Sequence, residues 1–333
     1  MREQSPDAGS THSSAPPVQP STPRILIIKP SSIGDVVQAL PTVNLIRQKY
    51  REAHISWLIN DSLASLLENC PLINDRIEFH RRDYSRFPAL LGRLWRKHFD
   101  VVIDLQGLLR SGLMTGATRA ARRVGLSDAR EGARFFYNEI VSVDREHAVD
   151  RYLRVARHLG CDPGPVVFPL GIPPRGGSEG LIAVSPSARW KTKLWGDDKF
   201  TALVRQLPSR RVVVTGSVAD RPRCELIAQG CRNLAGGTDL LELAELYSRC
   251  AVVITNDSGP MHLAAAVGTP VVAVFGPTDP GLTGPYGKQH VVLRAGIPCS
   301  PCLKDHCTHT PSMECMTRVT VEQVLEAARR FVH

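Results

Sequence analysis

Short runs of branched apolar residues recur along this chain, each followed by a turn and then by a stretch with apolar residues three and four apart. ILII at 25–28 is the first run, and after the turn PSSIG at 30–34 the spacing of Val37, Leu40 and Ile46 predicts a helix. HISWLI at 54–59, RIEFH at 76–80 and FDVVIDLQG at 99–107 read as further strands, with a helix predicted over SLASLLENC at 62–70. HAVDRYLRVARHLG at 147–160 has strong helical spacing. The alternation then resumes with LIAVSP at 181–186, RVVVTGS at 211–217, the helical DLLELAELYSRC at 239–250, and AVVITN at 251–256. A helix over 261–267, a strand over 269–275 and a closing helix over 319–332 complete it. The runs are continuous rather than alternating, as expected of strands buried on both faces of a parallel sheet. Strand–helix alternation of this length predicts an α/β chain of two Rossmann-like domains facing a cleft.

The 333 residues suffice for two cores. Residues 1–23 are Ser/Pro-rich, poor in large apolar side chains and expected to be disordered. The first domain is expected over 24–165, a Pro/Gly-rich linker over 166–180 and the second domain over 181–333. The apolar run at 25–28 is far too short to span a bilayer, and no apolar window after Met1 suggests a signal peptide.

The densest chemistry lies in TNDSGPMHLAAAVGTPVVAVFG at 255–276. A buried strand ends there at Asp257. Ser258 and Gly259 supply a cap and a permissive turn, and Pro260 suits the first helical position, where an N–H would have no acceptor. The free N–H groups of that helix would face a ligand at the carboxyl end of the sheet, the usual place for a diphosphate. Asp257, being anionic, suits sugar hydroxyls beside the diphosphate, and His262 suits a phosphate oxygen or a structural hydrogen bond. At the other end of the chain Asp35 follows the turn of KPSSIGD, where both helix capping and proton abstraction are open to it. That segment lacks the three glycines of a dinucleotide fingerprint.

KPSSIGDVVQALP at 29–41, SARWKTKLW at 187–195, TNDSGPMHLAAA at 255–266 and FGPTDP at 275–280 together resemble the ADP-heptose:lipopolysaccharide heptosyltransferases, glycosyltransferase family 9, from about residue 24 to the end. The resemblance implies a GT-B fold, with the closing helix at 319–332 packing back across the first domain, and inverting transfer of heptose from ADP-L-glycero-D-manno-heptose to an inner-core lipopolysaccharide sugar. Carried over by position, it implies Asp35 as base, Lys193 against the diphosphate and Asp257 against the sugar. Ser187, Ser258, Gly259 and His262 would complete the donor site, while Ala188 replaces a hydroxyl carried by some members. Neither a cofactor nor a catalytic metal is implied. The family also implies an acceptor at the cytoplasmic face of the inner membrane, hence a cytoplasmic protein associated peripherally with it. A related transferase using another nucleotide sugar, or a noncatalytic carbohydrate-binding protein, are the competing readings.

The formal net charge of +9 predicts attraction to an acidic surface, and phosphorylated lipid A with its inner-core sugars meets that description. Arg110, Arg119, Arg122 and Arg123 are the candidate acceptor contacts. No zinc-finger spacing or RNA-binding aromatic signature supports nucleic acid as a partner. Cys299, Cys302, Cys307 and Cys315 form C-x2-C-x4-C-x7-C, open to a structural metal, to free thiols or to a redox-dependent disulfide. The other five cysteines are scattered.

Overall fold

The computed structural model describes residues 22–173 and 179–332. The expectations for residues 1–21 of the tail and 174–178 of the linker lie outside the described residues. The first sheet holds β1 (Arg24–Ile28), β2 (His54–Asn60), β3 (Asp75–Phe79), β4 (Val101–Asp104), β5 (Arg122–Leu126) and β6 (Glu139–Val141). The second holds β7 (Leu181–Ser185), β8 (Val212–Val214), β9 (Arg232–Asn233), β10 (Cys250–Asn256), β11 (Val271–Val274) and β12 (Val291–Leu293). Their orders are β3-β2-β1-β4-β5-β6 and β12-β11-β10-β7-β8-β9. Every pairing is parallel, with Ile27 in register with Trp57 on one side and Ile103 on the other. The chain changes direction between β1 and β4, and again between β7 and β10. Each change opens a crevice at the carboxyl ends of the strands.

The helices are α1 (Ile33–Lys49), α2 (Phe87–Arg96), α3 (Leu109–Ala117), α4 (Ala148–His158), α5 (Asp197–Val204), α6 (Arg221–Ala228), α7 (Leu240–Arg249), α8 (Gly259–Ala266), α9 (Pro280–Thr283), α10 (Glu314–Thr317) and α11 (Val321–Arg329). Local chemistry explains where several begin. Asp239 caps α7 by accepting the N–H groups of Leu241 and Glu242 at 2.8 and 2.9 Å. Pro260 sits in the first turn of α8. All seven residues of β10 are buried, as a central strand covered on both faces requires.

One apolar core runs through both halves, joining Ile27, Val37, Trp57 and Tyr152 to Tyr247, Val253, Leu263 and Phe275. Helices α1 and α8 pack against each other across this junction. No helix among the described residues is long and apolar enough to cross a membrane.

Two expectations need correcting. The segment 62–70 forms a 3₁₀ helix, Asp61–Leu67, rather than an α-helix. It buries Leu63, Leu66 and Leu67, and Pro71 stands just downstream, where a continuing helix would be broken. The closing helix α11 does not pack back across the first domain. Its buried face of Val324, Leu325, Ala327 and Ala328 joins the core of the second sheet with Phe200 and Met316. Trp195 reinforces the docking by donating its indole N–H to the Val319 carbonyl at 2.8 Å.

Candidate active site

A cleft of about 1020 Å³ is lined from one side by the start of α1 and from the other by the segments that follow β7 and β10. On the first side Ser32 precedes α1, and Asp35 in its first turn reaches back. The Ser32 N–H and hydroxyl both donate to Asp35 Oδ2, at 3.0 and 2.7 Å. The other carboxylate oxygen, Oδ1, accepts from the Tyr152 hydroxyl at 3.2 Å and lies 3.4 Å from Lys29 Nζ. Lys29 is buried directly after β1, where its ammonium also donates to the Leu105 carbonyl at 3.0 Å across the β1/β4 crevice. Burial alone would raise the Asp35 pKa. The Lys29 charge, the two Ser32 hydrogen bonds and a smaller contribution from His262 outweigh it and hold the carboxyl well below the usual range. Burial likewise opposes the charged form of Lys29, but Asp35 and Tyr152 keep it an ammonium. Asp35 is therefore both a helix cap and an ionised carboxylate, 37% of whose side chain remains exposed.

On the opposite side Lys193 Nζ lies 2.6 Å from Asp257 Oδ2, an ion pair the sequence did not foretell. Thr278, from the FGPTDP segment, donates its hydroxyl to the same oxygen at 2.5 Å. Lys193 also stands 4.8 Å from the centre of the Trp190 ring. An ammonium carries three donors, so Lys193 can hold Asp257 and still donate to a second anion. Ser258 occupies the cap position of α8, and Ser187, Ala188, Gly259 and His262 line the same cleft. Gly236 and Thr238, from the NLAGGT turn at 233–238, line it too.

His262 joins the two sides. Its ring packs so closely on Gly34 that a Cβ there would fall 2.3 Å from Cδ2. Burial, opposed by the neighbouring Asp257 and Asp35 charges and assisted by His147 and Lys193, pulls its pKa down to about 4. At neutral pH it is uncharged, offering one donor and one acceptor.

Asp35, Ser187, Lys193, Asp257, Ser258, Gly259 and His262 thus surround one cleft. Lys29, Tyr152, Thr278, Gln38, Arg130 and Arg189 were missed. A lysine directly after a buried strand was the available signal for Lys29, whereas nothing local marks Tyr152 inside an amphipathic helix. The four candidate acceptor arginines are placed elsewhere. Arg110 sits over the Phe79 and Tyr84 rings, and Arg119 lies 3.7 Å from the centre of the Trp95 ring. Arg122 makes two hydrogen bonds to Glu139, and Arg123 donates to the Phe136 and Ala120 carbonyls. None of them lines the cleft. Asp104 is likewise structural, accepting from the Gln106 and Gly107 N–H groups and the Tyr137 hydroxyl.

The carboxyl-terminal cysteines do not assemble into a ligand set. All four carry free thiols around a small cavity of about 40 Å³. Cys315 is buried on α10 against Gly276, while Cys302 stays exposed on a loop. No group of three His, Cys, Asp or Glu side chains among the described residues is arranged to hold a metal ion.

Residues 88–312 match the profile of Glycosyltransferase family 9 (heptosyltransferase). Lipopolysaccharide heptosyltransferase 1 of Pseudomonas aeruginosa is 30% identical over 320 residues, covering 87% of this chain and 89% of that protein. The solved E. coli ADP-heptose lps heptosyltransferase II is 26% identical, with a TM-score of 0.75, over 93% of this chain and 98% of its own. E. coli heptosyltransferase WaaC, solved with ADP-2-deoxy-2-fluoro heptose, is 24% identical, with a TM-score of 0.75, over 92% of this chain and 99% of its own. Two parallel sheets facing one cleft constitute the GT-B fold of these enzymes, and the chain belongs to glycosyltransferase family 9, the heptosyltransferases.

Proposed function

We propose that this enzyme transfers heptose from ADP-L-glycero-D-manno-heptose to an inner-core sugar of lipopolysaccharide, by direct displacement with Asp35 as the base. The observation that carries the reading is the facing arrangement of Asp35 and the Lys193–Asp257 pair across one cleft, with His262 between them. The donor assignment draws support from the ADP-heptose relative and from the heptose-analogue complex of the E. coli enzyme. The lipopolysaccharide acceptor draws support from the P. aeruginosa relative.

In such a displacement an acceptor hydroxyl attacks the anomeric carbon from the face opposite ADP. A bond forms from that oxygen to the carbon, the bond to the diphosphate breaks, and the hydroxyl proton passes to Asp35. A carboxylate as weakly basic as this one accepts the proton late, once the new bond has acidified the hydroxyl. Its fixed negative charge also favours the positive charge gathering on the sugar. Charge growing on the departing diphosphate meets the Lys193 ammonium and the N-terminal N–H groups of α8. Asp257, already oriented by Lys193 and Thr278, keeps Oδ1 for hydroxyls of the donor sugar. The enzyme works from the cytoplasmic side, peripherally at the inner membrane, where its acceptor resides.

Mass-spectrometric transfer from ADP-heptose to Kdo-terminated and heptose-terminated lipid A acceptors, with Asp35→Asn as control, tests the reading. A heptose-sized product that disappears in the variant is expected, and the acceptor used sets the step. No product on any acceptor, with folded protein and intact donor, would move the assignment to another nucleotide sugar or to a binding role.

A further inference from the structure

The basic charge is concentrated in one part of the fold. Between residues 81 and 136 stand twelve Lys and Arg against five Asp and Glu, which leaves +7 of the chain's formal +9. The same interval carries exposed large apolar side chains: Tyr84 at 66%, Trp95 at 52%, Phe135 at 91%, and Leu109 and Leu113 on α3. These residues belong to adjoining elements. Helix α2 packs beside α3, and residues 133–136 pack on α3 through Phe136, whose ring fills the space over Gly112 and Gly116. Arg110 at the start of α3 rests over Tyr84, in the turn that leads into α2, and Arg119 just past the end of α3 rests over Trp95 of α2. Buried Leu90 and Leu94 anchor α2 from below, leaving Arg86, Arg93 and Arg96 outward with Trp95. An apolar fringe set among arginines that rest on aromatic rings suits the boundary between lipid headgroups and acyl chains.

We propose that α2, α3 and residues 133–136 form the surface by which this enzyme docks on an anionic lipid membrane. The proposal rests on the reading of a membrane-resident acceptor and names the face that meets it. Charge complementarity selects the occupant. A second copy of this chain meeting the same face would set Arg93, Arg96, Arg110 and Arg134, with no Asp or Glu in these three segments, against themselves, whereas anionic headgroups neutralise them and the acyl boundary takes Trp95, Phe135 and Leu113. Arg130, on the loop leading to this face, lines the cleft, so docking would bring the catalytic opening close to the bilayer.

Sedimentation with phosphatidylglycerol/phosphatidylethanolamine vesicles, compared with pure phosphatidylcholine vesicles, tests the surface. Full-length wild type, Trp95→Ser with Phe135→Ser, Arg93→Glu with Arg96→Glu, and Arg93→Lys with Arg96→Lys are compared. Wild type should bind the anionic vesicles selectively, and the serine and glutamate pairs should weaken binding by about tenfold or more. The lysine pair should keep most of it. Transfer to a delipidated, water-soluble acceptor should be unchanged in all variants. Equal binding by all variants, no binding by wild type, or binding to duplex DNA without vesicle binding would overturn the proposal. Joint loss of binding and soluble transfer would also overturn it, by assigning these residues to the fold. Failure of wild type to use the soluble acceptor would instead count against the heptosyltransferase reading, so the two failures are separable.

Discussion

The imidazole of His262, in the first turns of α8, lies against the α-carbon of Gly34, in the first turn of α1, with no room for a methyl group between them. This contact sets how closely the two helix starts approach. Alanine at 34 suits a helix, yet its Cβ would stand 2.3 Å from the ring, so one helix or the imidazole must shift. Gly34→Ala should cost about 1–3 kcal/mol of stability, read by chemical denaturation. It should also lower kcat/KM at least tenfold through misplacement of Asp35, about 1.4 kcal/mol or more in transition-state terms. Wild-type values of both would show that the approach of α1 and α8 is not set here.

Asp35→Asn keeps the size of the side chain and removes its charge. It should reduce kcat by about 10²–10⁴-fold, while ADP affinity measured by calorimetry stays near wild type. Retained kcat would remove Asp35 from proton transfer and leave it as the cap of α1.

The pH dependence follows from Lys29. Asp35 has a depressed pKa, so it stays ionised as pH falls through the ordinary carboxylate range. kcat/KM should therefore show no carboxylate limb near about pH 4–5 while the protein remains folded. Removing the ammonium in Lys29→Met lets the pKa rise, and an acid limb should then appear at higher pH. Tyr152→Phe removes only the hydrogen bond to Oδ1 and should move the limb less. Superimposable profiles would show that Lys29 and Tyr152 do not tune the base.

Asp257→Ala separates sugar binding from phosphate binding. The variant frees Lys193 from its partner at 2.6 Å, so ADP should bind as tightly as before or more tightly. ADP-heptose should lose about 10- to 100-fold in kcat/KM, the worth of hydrogen bonds to a charged group. Acceptor KM should hold. An equal loss of affinity for ADP and for ADP-heptose would place Asp257 in the phosphate site instead.

His262 predicts a stability slope. Its folded pKa of about 4 lies below the unfolded value of about 6.5, so between these values the unfolded chain binds a proton that the folded one does not. Stability should fall as pH drops through that window, by roughly 3 kcal/mol from this group. His262→Gln should flatten that share of the slope in urea titrations at pH 7 and pH 4.5. An unchanged slope would assign it to other groups.

Strand–helix alternation and most element positions were legible because they depend on local spacing. DLLELAELYSRC at 239–250, for example, folds as α7 with Asp239 as its cap. The 3₁₀ helix Asp61–Leu67 was misread because Leu63, Leu66 and Leu67 meet the helical spacing while the chain around them turns too soon for α-helix. The position of the candidate arginines outside the cleft was illegible for a related reason. Composition registers a positive side chain but not the ring or carboxylate it rests on, as Arg119 over Trp95 and Arg122 against Glu139 show.

By itself, then, the sequence determined that there would be two parallel sheets, that Asp35 and Ser258 would stand at helix starts, and the types of group at Asp35, Lys193, Asp257 and His262. These properties arise within a few residues of each other along the chain. Only the tertiary structure decided that Lys29 and Tyr152 hold Asp35 ionised, that Lys193 and Asp257 pair, and that His262 seats on Gly34. Those contacts join residues from 6 to 228 positions apart, where interaction depends on packing of the two halves and leaves no periodic trace in the chain.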